Sequence, residues 1–217
     1  METGWTLVAP GKREVITEEL GKEILEFLES EIKKHDQGPT KLVLAGKSYT
    51  KEAAAILAPL IKGLSCKSID YSDIIASRPT DEGLEVLRLL SECLDISILE
   101  EVNLSENALG VRGLEICLPL FKGKALRSIS LCDNGLSESD LILLEETLVG
   151  AGLCGQLSKI HIFNNMIGPG GAAAFGRILD SCSEALVDLR YAGTRAGPKG
   201  SLALAQSFKS MGERGAL

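Results

Sequence analysis

Leu99-Glu-Glu-Val102-Asn-Leu104-Ser-Glu-Asn107-Ala-Leu109-Gly110 is the clearest copy of a frame that recurs along this chain. Apolar residues alternate at 102 and 104, as strand side chains of period two must when one face is buried. Asn107 ends the strand, because its short amide can bond backbone groups that a turn leaves unpaired. Leu109 closes the loop, and Gly110 permits a positive φ before a helix begins.

The frame returns as Leu126-Arg-Ser-Ile129-Ser-Leu131-Cys-Asp-Asn134-Gly-Leu136 and as Leu157-Ser-Lys-Ile160-His-Ile162-Phe-Asn-Asn165-Met-Ile167-Gly168. A fourth copy is Leu186-Val-Asp-Leu189-Arg-Tyr191-Ala-Gly-Thr194-Arg-Ala196-Gly197, and two degenerate copies lie around Leu42/Leu44/Lys47 and Ile69/Tyr71/Ile74. Strand, asparagine turn and helix at this period is the pattern of a leucine-rich repeat. The core positions Leu44, Tyr71, Leu104, Leu131, Ile162 and Tyr191 advance in steps of 27, 33, 27, 31 and 29 residues. Steps of that length leave room for a full helix between strands. Leu114, Leu118 and Phe121, Leu141, Leu144 and Leu148, Ala172 to Leu179, and Leu202 to Phe208 fill that room with helical spacing. One unit cannot bury its own apolar face, so the units must stack. The expected fold is therefore an α/β leucine-rich-repeat horseshoe of the ribonuclease-inhibitor-like type, with a parallel concave sheet and helices on the convex side.

Two segments are expected, an N-terminal helical cap over residues 1–38 and about six repeats over 39–217. The cap rests on an amphipathic helix from Ile16 to Lys34, with Leu20, Ile24, Phe27, Leu28 and Ile32 on one face. His35-Asp-Gln-Gly38-Pro39 stops it. The end, Lys209 to Leu217, offers no matching cap, so the horseshoe is expected to continue in a longer chain or to have its last edge covered by a partner.

The chain has 217 residues, 45% of them hydrophobic, and a formal charge of −7. That charge opposes a general nucleic-acid surface, which needs a basic face. No run approaches the roughly 18 apolar residues of a membrane span, and Met1-Glu-Thr-Gly-Trp5 lacks a signal peptide's basic and apolar regions. Six cysteines without Cys-x-x-Cys spacing are expected to be reduced and packed as small hydrophobes. No metal site and no cofactor are expected, since structural zinc needs clustered ligands.

Several motifs fail as chemistry. Ala45-Gly-Lys-Ser48 imitates the end of a phosphate loop, but the required earlier glycine is Lys41. Asn103-Leu-Ser105 matches a glycosylation acceptor only by chance inside a strand. The sole histidines, His35 and His161, give acid–base catalysis little material, and His161 is expected to be a solvated residue of the concave face. Turn residues Asn107, Asn134 and Asn165 are assigned to the fold. Glu106, Asp133 and Asn164, one step earlier, are polar, surface-directed and not demanded by the frame, so they line a rim where loops carry function. The marked break is Asp70-Tyr-Ser-Asp73-Ile-Ile-Ala-Ser-Arg78-Pro79-Thr-Asp81-Glu82. Ile74 stands there in place of the turn asparagine, the step stretches to 33 residues, and an enlarged loop ends in an exposed Arg beside a rigid Pro.

Ser72-Asp-Ile-Ile-Ala-Ser-Arg78-Pro79, then Val102 to Gly110, then Phe163-Asn-Asn-Met166 with Gly170-Gly-Ala172, resembles the Ran GTPase-activating proteins (RanGAP), especially their plant and algal branch. The resemblance runs from about residue 40 to 210. It implies a horseshoe that binds the GTP form of the small GTPase Ran, with a Ran-binding protein as a further partner. It also implies accelerated hydrolysis in nucleocytoplasmic transport, in the cytoplasm or at the nuclear envelope. Such an activator has no active site of its own and inserts no arginine finger, unlike many others. A loop arginine supports the interface, and a turn asparagine orders the GTPase's own glutamine and water.

Carried onto this chain, the loop residue is Arg78, and the asparagine slot holds Asp133, with Asn134 following; both remain candidates. Asp73, Glu106 and Asn164 are the expected partner contacts, with Glu106 and Asn164 on the rim. The family's plant members carry a Trp-Pro-Pro region, whereas Thr6 follows Trp5 here, and the family's acidic C-terminal tail has no counterpart. The rival reading is a non-catalytic scaffold that binds a protein partner, the general use of repeat surfaces. A stand-alone hydrolase has no nucleophile–base pair, metal cluster or phosphate loop behind it.

Overall fold

The computed structural model describes residues 4–215. In chain order the elements are β1 (Thr6–Val8), β2 (Val15–Ile16), α1 (Glu18–Ile32), β3 (Lys41–Val43), β4 (Ser48–Tyr49), α2 (Lys51–Lys62), β5 (Ser68–Asp70) and α3 (Thr80–Glu92). There follow β6 (Glu101–Asn103), α4 (Gly110–Cys117), β7 (Ser128–Ser130), α5 (Glu138–Gly150), β8 (Lys159–Phe163), α6 (Gly168–Asp180), β9 (Asp188–Ala192) and α7 (Gly197–Glu213). Seven strands form one parallel sheet in the order β1-β3-β5-β6-β7-β8-β9, and β2 pairs with β4 in a small separate sheet. The fold is the expected α/β leucine-rich-repeat horseshoe.

Register follows the apolar frame. Leu7, Leu42, Ile69, Val102, Ile129 and Ile160 are partners across successive strands, and each is at most 1% exposed. Leu44, Tyr71, Leu104, Leu131 and Ile162 form a second inner row at 0%. Burying a Leu or Ile side chain contributes about 1.5–3 kcal/mol, so two such rows dominate the stability of the sheet. On the convex layer α5 buries Leu141, Leu144 and Leu148. Helix α6 presents Gly171, Ala172, Ala174 and Gly176, small residues that let it lie close to α5 and α7. Helix α4 stops at Cys117 and gives way to a 3₁₀ turn over Leu118–Lys122, because Pro119 cannot continue the helical hydrogen bonds.

Residues 6–32 contain more than the expected helix. Strand β1 joins the main sheet in register with β3, so α1 is preceded by a strand as in the repeats. Helix α1 packs on α2 and begins after Thr17, whose hydroxyl caps the Leu20 amide at 3.4 Å. Nine residues (71–79) join β5 to α3, against six (104–109) between β6 and α4. The lengthened step of the frame lies in part in this loop. No described helix is long and apolar enough to cross a membrane.

Candidate functional site at the rim

The turns after the strands repeat one backbone device. Gly46, Asp73, Glu106, Asp133, Asn164 and Gly193 all have positive φ, between 53° and 70°. Each of the first five sends its amide to the carbonyl of the neighbouring turn, as Glu106 does to Cys132 at 2.8 Å and Asp133 to Phe163 at 3.0 Å. Gly, Asn and Asp tolerate this left-handed conformation best. The frame therefore does constrain these positions, contrary to the expectation that it leaves them free. It restricts the backbone and leaves the side chain to solvent: Glu106, Asp133 and Asn164 are exposed.

One residue later the side chains turn inward. The Asn107 oxygen accepts the Ile74 amide at 2.9 Å, that of Asn134 accepts the Asn107 amide at 2.9 Å, and that of Asn165 accepts the Asn134 amide at 3.1 Å. The Asn134 nitrogen donates to Leu104 at 3.0 Å, and its side chain lies in the core at 1% exposure. Of the two candidates for the asparagine slot, only Asp133 reaches the surface. Asn134 is spent on holding one turn to the next, which removes it from direct contact with any partner.

The enlarged loop bends over α3. Ser77 is a second left-handed residue, and Pro79, extended at ψ 142°, opens the helix. The sequence led to an exposed Arg78, but only 15% of its side chain is accessible. Its Nη1 lies 3.9 Å from Glu82, one helical turn on, and its Nε is buried without a partner. Asp73 is also covered, 10% accessible at the side chain, and both its carboxylate oxygens lie 3.0 Å from Nη2 of Arg13. Sequence reasoning passed over Arg13, since one exposed Arg sixty residues before its partner carries no spacing signal.

Asp73, Arg78, Glu106 and Asp133 line a single cleft of about 750 Å³, together with Arg13 and the apolar side chains of Ile75, Leu84 and Leu109. Four of the six candidate residues thus meet in one place. Asn164 stands farther along the rim and Asn134 lies beneath it. Among the described residues no cation pairs with Glu106 or Asp133, so their carboxylates face the cleft mouth uncompensated.

The concave face beside this mouth also departs from expectation. His161 is only 7% exposed, and its Nε2 lies 2.8 Å from Asp188, which is diagonal to it on β9. That bond holds the Asp188 carboxyl below its ordinary value, with nearby Arg190 and Lys159 acting in the same sense. Neighbouring strands crowd a concave surface, so a mid-sheet histidine loses the solvent that strand alternation alone would give it.

No family model matches this chain. Among curated proteins, RAN GTPase-activating protein 2 of Arabidopsis thaliana is 36% identical over 117 residues, which is 53% of this chain and 21% of the relative. RAN GTPase-activating protein 1 of the same plant is 33% identical over 109 residues, 49% of this chain and 20% of the relative. The matched stretch thus spans about a fifth of the length of each. Both relatives carry the name that the loop and turn motifs led to, and over about half its length this chain is similar to the RAN GTPase-activating proteins.

Proposed function

We propose that this chain is a GTPase-activating module that engages Ran in its GTP form and accelerates hydrolysis through the GTPase's own glutamine and water. The observation that carries the reading is the meeting of Asp73, Arg78, Glu106 and Asp133 in one rim cleft, although they come from three different turns. Names of the two Arabidopsis relatives support the same partner. The chemistry asked of the chain is positional and electrostatic. It donates no proton and holds no phosphate, and its surface orders groups that belong to the GTPase. Asp133 stands in the turn slot where the resemblance puts the ordering asparagine, and Arg78 braces the loop that forms the interface. Such a module serves directional nuclear transport from the cytoplasmic side, with a Ran-binding protein as a further partner.

The test is single-turnover phosphate release from GTP-loaded Ran across a range of chain concentrations. Saturable acceleration above intrinsic hydrolysis is expected, and saturating binding with no acceleration would end the proposal. A second reading, a binding module without activating power, is favoured by one feature, the carboxylate of Asp133 where the family resemblance calls for an amide. Binding without acceleration is its signature.

A further inference from the structure

We infer that Arg13, outside the repeats read from the sequence, is a positioning residue for the loop that carries Arg78. The inference rests on the proposed Ran-activating function. From Asn107 to Asn165 each turn is tied to the one before by an asparagine side chain. At 74 the slot holds Ile, so no amide reaches back to the turn of Gly46 and Lys47. Asp73 reaches back instead, past that turn, to Arg13 in the segment between β1 and β2. One guanidinium nitrogen touches both carboxylate oxygens at 3.0 Å. Among the described residues, the Arg78 guanidinium has one ion-pair partner, Glu82 at 3.9 Å.

The same N-terminal segment holds the loop by a second route. Strand β2 pairs with β4, whose Tyr49 amide donates to Ile74 at 2.9 Å and whose Ser48 hydroxyl donates to Ala76. The loop is thus held by the bonds from Ser48 and Tyr49 as well as by the Arg13–Asp73 pair. Charge adds to geometry. The cleft holds Arg13 and Arg78 against Asp73, Glu106 and Asp133. Without Arg13, Asp73 is an unpaired and largely covered carboxylate at positive φ, at the base of the activating loop. The loop then has reason to shift, and a displacement of an ångström can cost as much as about a hundredfold in rate.

Two readouts test this on the whole chain. Hydrogen exchange of free protein is expected to rise at amides 73–78 in Arg13→Ala, with the strands unchanged. In single-turnover hydrolysis of GTP-loaded Ran, Arg13→Ala is expected to lower the maximal rate by roughly tenfold. Arg13→Lys should recover part of that loss, since it keeps the charge but not the planar fork. The double variant Arg13→Ala/Asp73→Asn should be no slower than the worse single variant, because both remove one interaction. Exchange at 73–78 that Arg13→Ala leaves unchanged overturns the inference, as do strictly multiplying rate losses. If wild-type chain gives no acceleration while exchange rises in the variant, the proposed function falls instead.

Discussion

The side-chain oxygen of Asn134 accepts the backbone N–H of Asn107 at 2.9 Å, so one repeat's turn is closed by the next repeat's asparagine. Removing that amide leaves the Asn107 N–H buried without a partner. The Leu104 carbonyl, which Asn134 also serves, keeps a bond from the Asn107 side chain at 2.9 Å. Asn134→Ala is therefore expected to cost about 2 kcal/mol, mostly through one orphaned donor. Asp133→Ala, one residue earlier and exposed, should cost about 1 kcal/mol, because Ala tolerates a positive φ less well than Asp. Urea denaturation of both variants, set beside Ran-stimulated hydrolysis, checks the division. Equal destabilisation, or activity that tracks only Asn134, would refute it.

Asp133→Asn separates conformation from chemistry at this turn. Asn and Asp both tolerate a φ of 55°, so the backbone should not move. The change exchanges an acceptor-only carboxylate for a group that also donates. It also removes one of two uncompensated negative charges at the cleft mouth. Under the proposed function it should raise the maximal stimulated rate severalfold with a melting temperature within a few degrees of wild type. A rate equal to or below wild type would show that the amide is not what this slot requires.

The ladder of inner residues was legible because it depends on a local period of two and a repeat step, both visible in apolar spacing. Loop 72–79 was legible as a break for the same reason. Strand β1 was not, since Trp5 to Ala9 is followed by Pro10-Gly11 and no asparagine turn marks its end. The burial of Arg78 and the Arg13–Asp73 pair depend on which segments the fold brings together, and no spacing rule encodes that. The left-handed turns at 106, 133 and 164 left a trace in their residue types at two of three positions. Glu106 hid it, because Glu is not a residue that usually signals positive φ.

Arg78→Ala now carries a different expectation from the one an exposed side chain would give. Its side chain lines the cleft wall with only 15% of its surface accessible. Truncation should cost about 1 kcal/mol through lost packing, as well as lowering stimulated hydrolysis. Arg78→Lys should restore most of the stability and little of the rate, because a point charge does not replace a planar fork. Thermal melts and single-turnover assays on the two variants decide it, and full rate recovery by Lys would count against a geometric role.

The Asp188–His161 bond makes a pH prediction with a definite sign. Asp188 is held below its ordinary value of 3.8, chiefly by His161, so the folded state favours its ionised form. A depressed carboxyl stabilises the fold above its unfolded value and loses that contribution as pH falls through the folded value. Asp188→Asn should therefore be less stable than wild type at pH 5 to 7, and the gap should close below about pH 4 as the carboxylate is protonated. Urea midpoints of both proteins at several pH values between 3 and 7 measure it. A gap that stays constant through the acid range would mean that the charge on Asp188 contributes nothing and that the bond to the His161 ring matters only as packing on the concave face.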